Sequence, residues 1–424
     1  MKAKRQARKV PAAVVMDAET EGLLERALEQ HRAGELGAAI AGYERVLEKA
    51  PGQLDALVNL GTALTAVGRQ RSALEHLRLA RDKALDLPRV HNDLGVCFLE
   101  LGLVGEAVGS FQRAAMLAPE AAEPWTNLGR ALNEAGREGE AAEVVSRAAM
   151  LDPLFAPAWL ELWRALFREK ESRSVVEVFT RAVAADPELY FARYLLGVCL
   201  DLTSDKKTAL EQFRMLKERG NVMAGAVDSF GYYKAKREPS TRMFMSTRQT
   251  LVYALSQARV VGLNLEFGVR FGGSARIFCE VNPDAVLHGF DSFEGLPEQW
   301  HIRAPGTYTT HGELPELSEK VELHVGLFGD TLPVFLGSHA ESVRFINVDC
   351  DLYSSTKTAL DLVSDRIVPG TVIVFDEYFV NDRWREDEYK AFQEWATARD
   401  VKYRYLAVSL LTGQAVVEIL PSGE

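Results

Sequence analysis

Four carboxylates give the chain its clearest chemical signal. Asp349 and Asp351 close the apolar run RFINVDCD, and Asp376 and Glu377 close GTVIVFDE. An apolar run that stops at acids reads as a buried strand ending at a rim. Alternate residues of an extended segment point the same way, so Asp349 and Asp351 share a side. If the two strands are neighbours, up to four carboxylates converge, a costly arrangement unless a cation relieves it. All-oxygen ligation suits Mg²⁺, Mn²⁺ or Ca²⁺ and not Zn²⁺. The competing reading makes each acid a helix cap or the partner of an Arg or Lys.

Two further rim segments accompany them. LEFGVRFGGSA places Glu266 at a strand end, then Gly268, Gly272 and Gly273 where backbone can approach a ligand, then Ser274 as a helix cap. The GxxxGG spacing departs from GxGxxG, and a carboxylate at Glu266 repels a pyrophosphate but accepts a hydrogen bond from an ammonium. That favours the amino-acid end of S-adenosylmethionine over a dinucleotide; a plain strand-to-helix turn is the alternative. HGFDSFEGLPEQW places Asp291 25 residues after Glu266, where an acid can hold both ribose hydroxyls. Ser292 and Phe293 follow as cofactor contacts, Phe293 near an adenine. The stretch 292–320 then carries Trp300, Tyr308 and His311, suited to a sugar or aromatic face. It also holds His301, a candidate base, although a lone loop histidine is more often simply exposed.

The elements that must position these residues alternate. Apolar runs at 260–267, 285–290, 321–325, 343–348 and 371–375 are separated by helical stretches at 274–281, 330–336 and 355–365; another helix, 386–398, precedes runs at 401–408 and 414–419. Such alternation predicts a parallel sheet covered on both faces. The last two runs have only Leu411-Thr412-Gly413 between them and predict an antiparallel hairpin. A helical stretch with Met243, Phe244 and Met245 precedes the first strand; it either closes the pocket or packs as an amphipathic helix.

The first half is repetitive. Ala27, Gly61, Gly95, Gly129, Trp163 and Gly197 stand 34 residues apart, and Tyr43, Leu77, Phe111, Val145, Phe179 and Phe213 repeat at the same period. Small residues let two helices cross closely while the larger ones fill the space beside them. Gly34, Gly68, Gly102 and Gly136 stand where a first helix must end, and Pro51, Pro119, Pro153 and Pro187 close units. Six helix pairs follow, over about 20–223. Trp163 forces local re-packing in unit five.

The formal net charge of −11 over 424 residues argues against nucleic acid and anionic membrane as partners. No run is long and apolar enough to span a bilayer. Cys97, Cys199, Cys279 and Cys350 stand far apart, which fits a reducing compartment and predicts a cytoplasmic protein. Residues 1–19 read as a basic, flexible tail.

The 34-residue pattern resembles tetratricopeptide repeats, an α-solenoid whose groove implies a protein or peptide partner, or self-association. Asn59 and Asn127, with Arg130 and Arg164 nearby, stand where some members hold a partner's carboxylate, though Glu25, Asp93 and Glu161 would repel one. Residues 224–424 resemble the α/β Rossmann-like class I methyltransferase sheet, which implies strand order 3-2-1-4-5-7-6. Within it DSFEGLP, DCDLYSST and PGTVIVFDEY resemble the macrocin-type O-methyltransferases. That resemblance implies S-adenosylmethionine as cofactor, Mg²⁺ held by Asp349, Asp376 and Glu377, and a sugar or other polyhydroxylated acceptor. Asp-Glu stands where members often carry two Asp or Glu-Asp. Asp349 also touches the cofactor, and Asp351 is a cofactor contact, a support for the ligands or the base. Two other readings stay open: an inactive cofactor-binding scaffold and a nucleotide-sugar oxidoreductase.

Overall fold

The computed structural model describes residues 16–152, 155–166, 173–203, 205–218 and 223–421. Most of the basic tail (1–15), Pro153 and the side chain of Val175 lie outside the described residues.

Six helix pairs run Ala18–Arg32 with Leu36–Lys49, Leu54–Ala66 with Gln70–Lys83, Pro88–Glu100 with Val104–Leu117, Ala122–Glu134 with Glu138–Leu151, Ala156–Leu166 with Arg173–Ala185, and Tyr190–Leu202 with Lys206–Glu218. Their crossings have the expected cause. A Cβ added to Gly61, Gly95, Gly129 or Gly197 would fall inside Leu77, Phe111, Val145 or Phe213, the residue sixteen places on. At the equivalent position Trp163 is fully buried and meets Phe179 edge-on, ring centroids 5.8 Å apart. Gly34, Gly68, Gly102 and Gly136 turn the chain between paired helices with φ from 68° to 85°, a region that glycine enters without strain. Asn59 is taken within the groove by Arg89 (2.7 Å) and Asn127 by Asn92 (2.8 Å). Arg164 is buried against Glu134 and Glu161.

A further helix, Met223–Lys236, leads into eight strands: β1 (Arg242–Phe244), β2 (Leu263–Phe267), β3 (Leu287–Asp291), β4 (Val321–Val325), β5 (Val343–Val348), β6 (Ile367–Phe375), β7 (Lys402–Ser409) and β8 (Ala415–Leu420). They form one sheet in the order β1-β7-β8-β6-β5-β2-β3-β4. β2 to β6 are parallel to one another, and β8 lies antiparallel between β6 and β7. Numbered from β2, this is the implied order with β1 added at one edge. β1 corrects the sequence reading: Arg242–Phe244 pairs parallel with β7, and Met243 and Met245 are buried in the core. The segment fills an edge and closes no pocket. Three residues carry too little alternation to show a strand period.

Core packing ignores the end of the repeats. Trp163, Phe179 and Tyr194 share one apolar cluster with Phe230, Phe375 and Trp384. On the other side, Phe271 from the glycine loop is buried in the cluster of the early repeats. The inter-helix turns of repeats two and three touch the α/β region: Arg71 Nη2 donates to Leu314 O (2.6 Å), His311 Nε2 to Val67 O (3.2 Å), and Gly102 lies against Gly273. Among the described residues, no helix is long and apolar enough to cross a membrane.

Candidate active site

The sheet register brings the acidic motifs together. Phe267 is level with Phe290 and Val348, and Val348 with Phe375, so β2, β3, β5 and β6 end almost side by side. The ladder runs one step past the strands: Gly268 N donates to Phe290 O (2.9 Å), Asp349 N to Phe267 O (2.8 Å) and Asp376 N to Val348 O (2.9 Å). Gly268 is needed here: its φ is 91°, and a Cβ would strike the Asp349 carbonyl.

Beyond these ends lies a cavity of about 690 Å³, within the size range of small-molecule sites. Gly268, Asp291, Ser292, Asp349, Asp351, Asp376 and Glu377 all line it. Asp349 and Asp351 reach it differently from the sequence reading. Asp351 has φ of 61°, so the segment is not extended there, and the two acids converge through a left-handed bend that Asp tolerates.

No hydrogen bond from a described residue reaches the carboxylates of Asp349, Asp351 or Glu377. Burial, then the Asp376 charge, pushes Asp351 up to about 7 and Glu377 up to about 8. The same two causes raise Asp349 well above the usual carboxylate range. Burial also raises Asp376, although Gln414 Nε2 donates to its Oδ1 (2.5 Å). A sixth acid, Glu388, opens the helix Glu388–Ala398 and is fully buried. Its Oε2 accepts from Glu377 N (3.0 Å) and its Oε1 has no partner. Burial, then the Asp376 charge, raises it well above the usual carboxylate range. The nearby cations are Arg270 and Arg303, each 5.1 Å from the Tyr308 ring; both lower Asp351, and Arg303 also lowers Glu377.

Of the other expected cofactor residues, Asp291 faces the cavity and the rest sit behind the rim. Glu266 is fully buried; its Oε1 accepts from Ser274 Oγ and from Asn347 Nδ2 (3.2 Å), and burial pushes it up to about 7. Ser274 therefore serves Glu266 rather than capping its helix, whose N-cap is Gly272. Asp291 Oδ2 accepts from Val269 N (2.8 Å) and Arg270 N (2.7 Å), and Oδ1 from Phe293 N (2.7 Å). It thus shapes the glycine loop as well as facing the cavity. Phe293 is buried, and Gly272 and Gly273 lie under Leu317 and against Gly102, none of the three on the cavity wall. His301 is not on the wall either: its Nε2 lies 2.7 Å from Asp387 Oδ2. Of the three residues read as an acceptor face, only Tyr308 lines the cavity. Trp300 is buried with Leu296 and Leu352, and His311 points to the repeats. Sequence reasoning missed Glu388, Gln414 and Arg270. Arg270 lay in plain view within the glycine loop; the other two are distant in the chain and carried no signal.

The acids test partly against a hard cation. Their donor type fits, and three of them lack a donor. Their spacing is looser than a closed shell: among the described residues, the one group of three ligand atoms within 4.8 Å of one another is His288, Glu322 and His324.

A methyltransferase domain family model matches residues 265–378, and a tetratricopeptide repeat model matches residues 93–156. The chain is 30% identical over 146 residues to 8-demethyl-8-(2,3-dimethoxy-alpha-L-rhamnosyl)-tetracenomycin-C 4'-O-methyltransferase of Streptomyces olivaceus, over 29% of this chain and 55% of that enzyme. The chain thus spans about half the length of that relative. CalS11, a calicheamicin methyltransferase, aligns at 23% identity over 42% of this chain and 79% of its own, with a TM-score of 0.32. A tetratricopeptide repeat protein from Parabacteroides merdae aligns at 15% over 52% and 89%, with a TM-score of 0.43. The chain carries tetratricopeptide repeats followed by a methyltransferase domain.

Proposed function

We propose that this chain is an S-adenosylmethionine-dependent O-methyltransferase acting on a hydroxyl of a sugar or other polyhydroxylated acceptor, assisted by Mg²⁺. The observation that carries this reading is the cavity itself: four carboxylates on adjacent strand ends, short of counter-charge, in a space fit for a small molecule. A negative cavity suits a cationic donor and disfavours a pyrophosphate.

The bound cofactor supplies an electrophilic methyl group on a sulfonium, whose C–S electron pair leaves with sulfur. Gly268, Asp291, Ser292 and Asp349, which line the cavity, would hold the cofactor. Glu266, buried below, fixes the loop through Ser274. Asp349, Asp376 and Glu377 would hold Mg²⁺, which supplies a charge that lowers a hydroxyl's pKa and orients it. Asp351 would take the proton of the acceptor hydroxyl; burial and the Asp376 charge push its pKa up to about 7. His301 would have to leave Asp387 to do the same, so Asp351 is the base of choice. Tyr308, with Arg270 and Arg303 over its ring, lines the cavity where the acceptor would sit.

Calorimetry with S-adenosylhomocysteine, with and without Mg²⁺, followed by labelled-methyl transfer to rhamnosylated and other glycosylated acceptors, tests the reading. Saturable binding and Mg²⁺-dependent transfer to a hydroxyl support it. Tight NAD binding without S-adenosylhomocysteine binding would reject it.

A further inference from the structure

Away from the cavity, the edge of the sheet carries a second group of ligating side chains. His288 on β3 pairs in register with Glu322 on β4, and Phe290 with His324. The three polar side chains therefore share one face of two neighbouring strands. The helix Phe328–Ser338 covers that face through Phe335, whose ring lies 4.7 Å from His288 and 5.0 Å from His324. His288 Nδ1 is 3.4 Å from Glu322 Oε2 and 3.4 Å from His324 Nε2.

Those separations carry information. Metal–ligand bonds of about 2.0–2.1 Å in a tetrahedron put neighbouring donor atoms about 3.3–3.4 Å apart. Two edges already have this length, and the third lies within 4.8 Å. We propose that His288, Glu322 and His324 form a transition-metal site, best suited to Zn²⁺, that staples edge strand β4 to β3.

Donor type supports the assignment. Two imidazoles and one carboxylate suit Zn²⁺, whereas Mg²⁺ prefers oxygen alone. Burial lowers both His288 and His324 below the usual imidazole value, keeping them in the neutral, ligating form. Glu322 is 57% exposed, which opens a path for the ion. His339 stands beside the triad, its ring 5.3 Å from that of His288. Its Nδ1 donates to the Phe335 carbonyl (2.9 Å), which leaves Nε2 as the bare nitrogen. Glu341 is the other charged group acting on His288 from this side.

The place has a consequence. β4 has a partner on one side only, and the turn after it with the first residues of the following helix, Gly326 to Asp330, forms one wall of the cavity. A metal across β3 and β4 fixes that wall from below. It rests on residues separate from the acids proposed for Mg²⁺.

The full chain, stripped with chelator and dialysed, is titrated with ZnCl₂ in excess Mg²⁺, and Co²⁺ is added separately to read its visible ligand-field bands. Expected are one equivalent of Zn²⁺ retained, tetrahedral Co²⁺ bands and a higher melting temperature. Glu322→Gln and His324→Gln each weaken Zn²⁺ by at least about tenfold, while Asp376→Asn leaves it unchanged. Glu322 is exposed, so its substitution empties no core, and circular dichroism confirms the fold. Absence of Zn²⁺ binding overturns the proposal. So does unchanged affinity in both variants, or loss of the ion on Asp376→Asn alone, which would place it among the acids.

Discussion

The solenoid and the sheet differ in how their parts find one another. In the repeats each key contact lies sixteen residues away, as Gly95 lies from Phe111, and the unit recurs every 34 residues. In the α/β region Asp349 meets Gly268 across 81 residues, and Asp376 is held by Gln414 from 38 residues away. Local, repeated contacts make stability approximately additive along the array. The cavity has no such redundancy, so each of its residues is a single point of failure for chemistry while contributing little to folding. The largest expected effects therefore fall on turnover from the sheet rim and the smallest on the exposed seam.

Asp376→Asn sharpens this contrast most. It removes a charge from a strained cluster, so the fold survives and melting moves little or rises. Methyl transfer should fall roughly 100-fold or more, the scale of losing several kcal/mol of transition-state stabilisation. S-adenosylhomocysteine affinity should persist. Turnover unaffected by the substitution and by chelator would remove Mg²⁺ from the reading.

Much of this was legible in the chain because it rests on period. The 34-residue spacing, the apolar runs that became β2 to β8 and the acids that end them all follow from local pattern. What escaped depends on packing between distant segments. β1 exists because β7 offers an open edge to Arg242–Phe244. Glu388 joins the acids only when its helix is folded back under Glu377. Phe271 reads as a loop residue and is instead buried among repeat side chains. The division at 223/224 is a change of sequence pattern that the continuous core around Trp163 and Phe230 does not respect.

Phe271→Ala tests that seam. A buried Phe truncated to Ala costs roughly 3 kcal/mol or more, read as a lower denaturation midpoint. The glycine loop also loses its anchor. Re-ordering even one backbone residue on binding costs about 1–2 kcal/mol, so S-adenosylhomocysteine should bind about tenfold more weakly. Affinity that stays at the wild-type value would show that the loop holds itself.

Within the solenoid two glycines should respond with opposite signs. Gly109 lies inside the helix Val104–Leu117 with nothing within 4 Å of an added Cβ. Gly109→Ala should stabilise by about 0.5–1 kcal/mol through reduced backbone entropy. At Gly129 the same gain is outweighed, because the Cβ overlaps Val145 and overpacking costs about 1–3 kcal/mol. Urea titrations of both variants read the difference directly. Equal effects would mean that the helix crossings are loose.

Arg71→Ala should do least to stability and still be informative. Arg71 is 43% exposed, and its contacts are the Leu314 carbonyl at 2.6 Å and Glu316 at 3.8 Å. Exposed charged contacts of this kind contribute about 1 kcal/mol or less, so the melting temperature should hardly move. Leu314 belongs to the long stretch after β3 that also carries Tyr308, the residue that faces the cavity. If the repeats hold that stretch in place, loosening one tie should raise the acceptor KM up to about fivefold, the equivalent of 1 kcal/mol, with kcat and cofactor affinity unchanged. An unaltered KM would show that the remaining ties, His311 to Val67 and His301 to Asp387, position Tyr308 without Arg71.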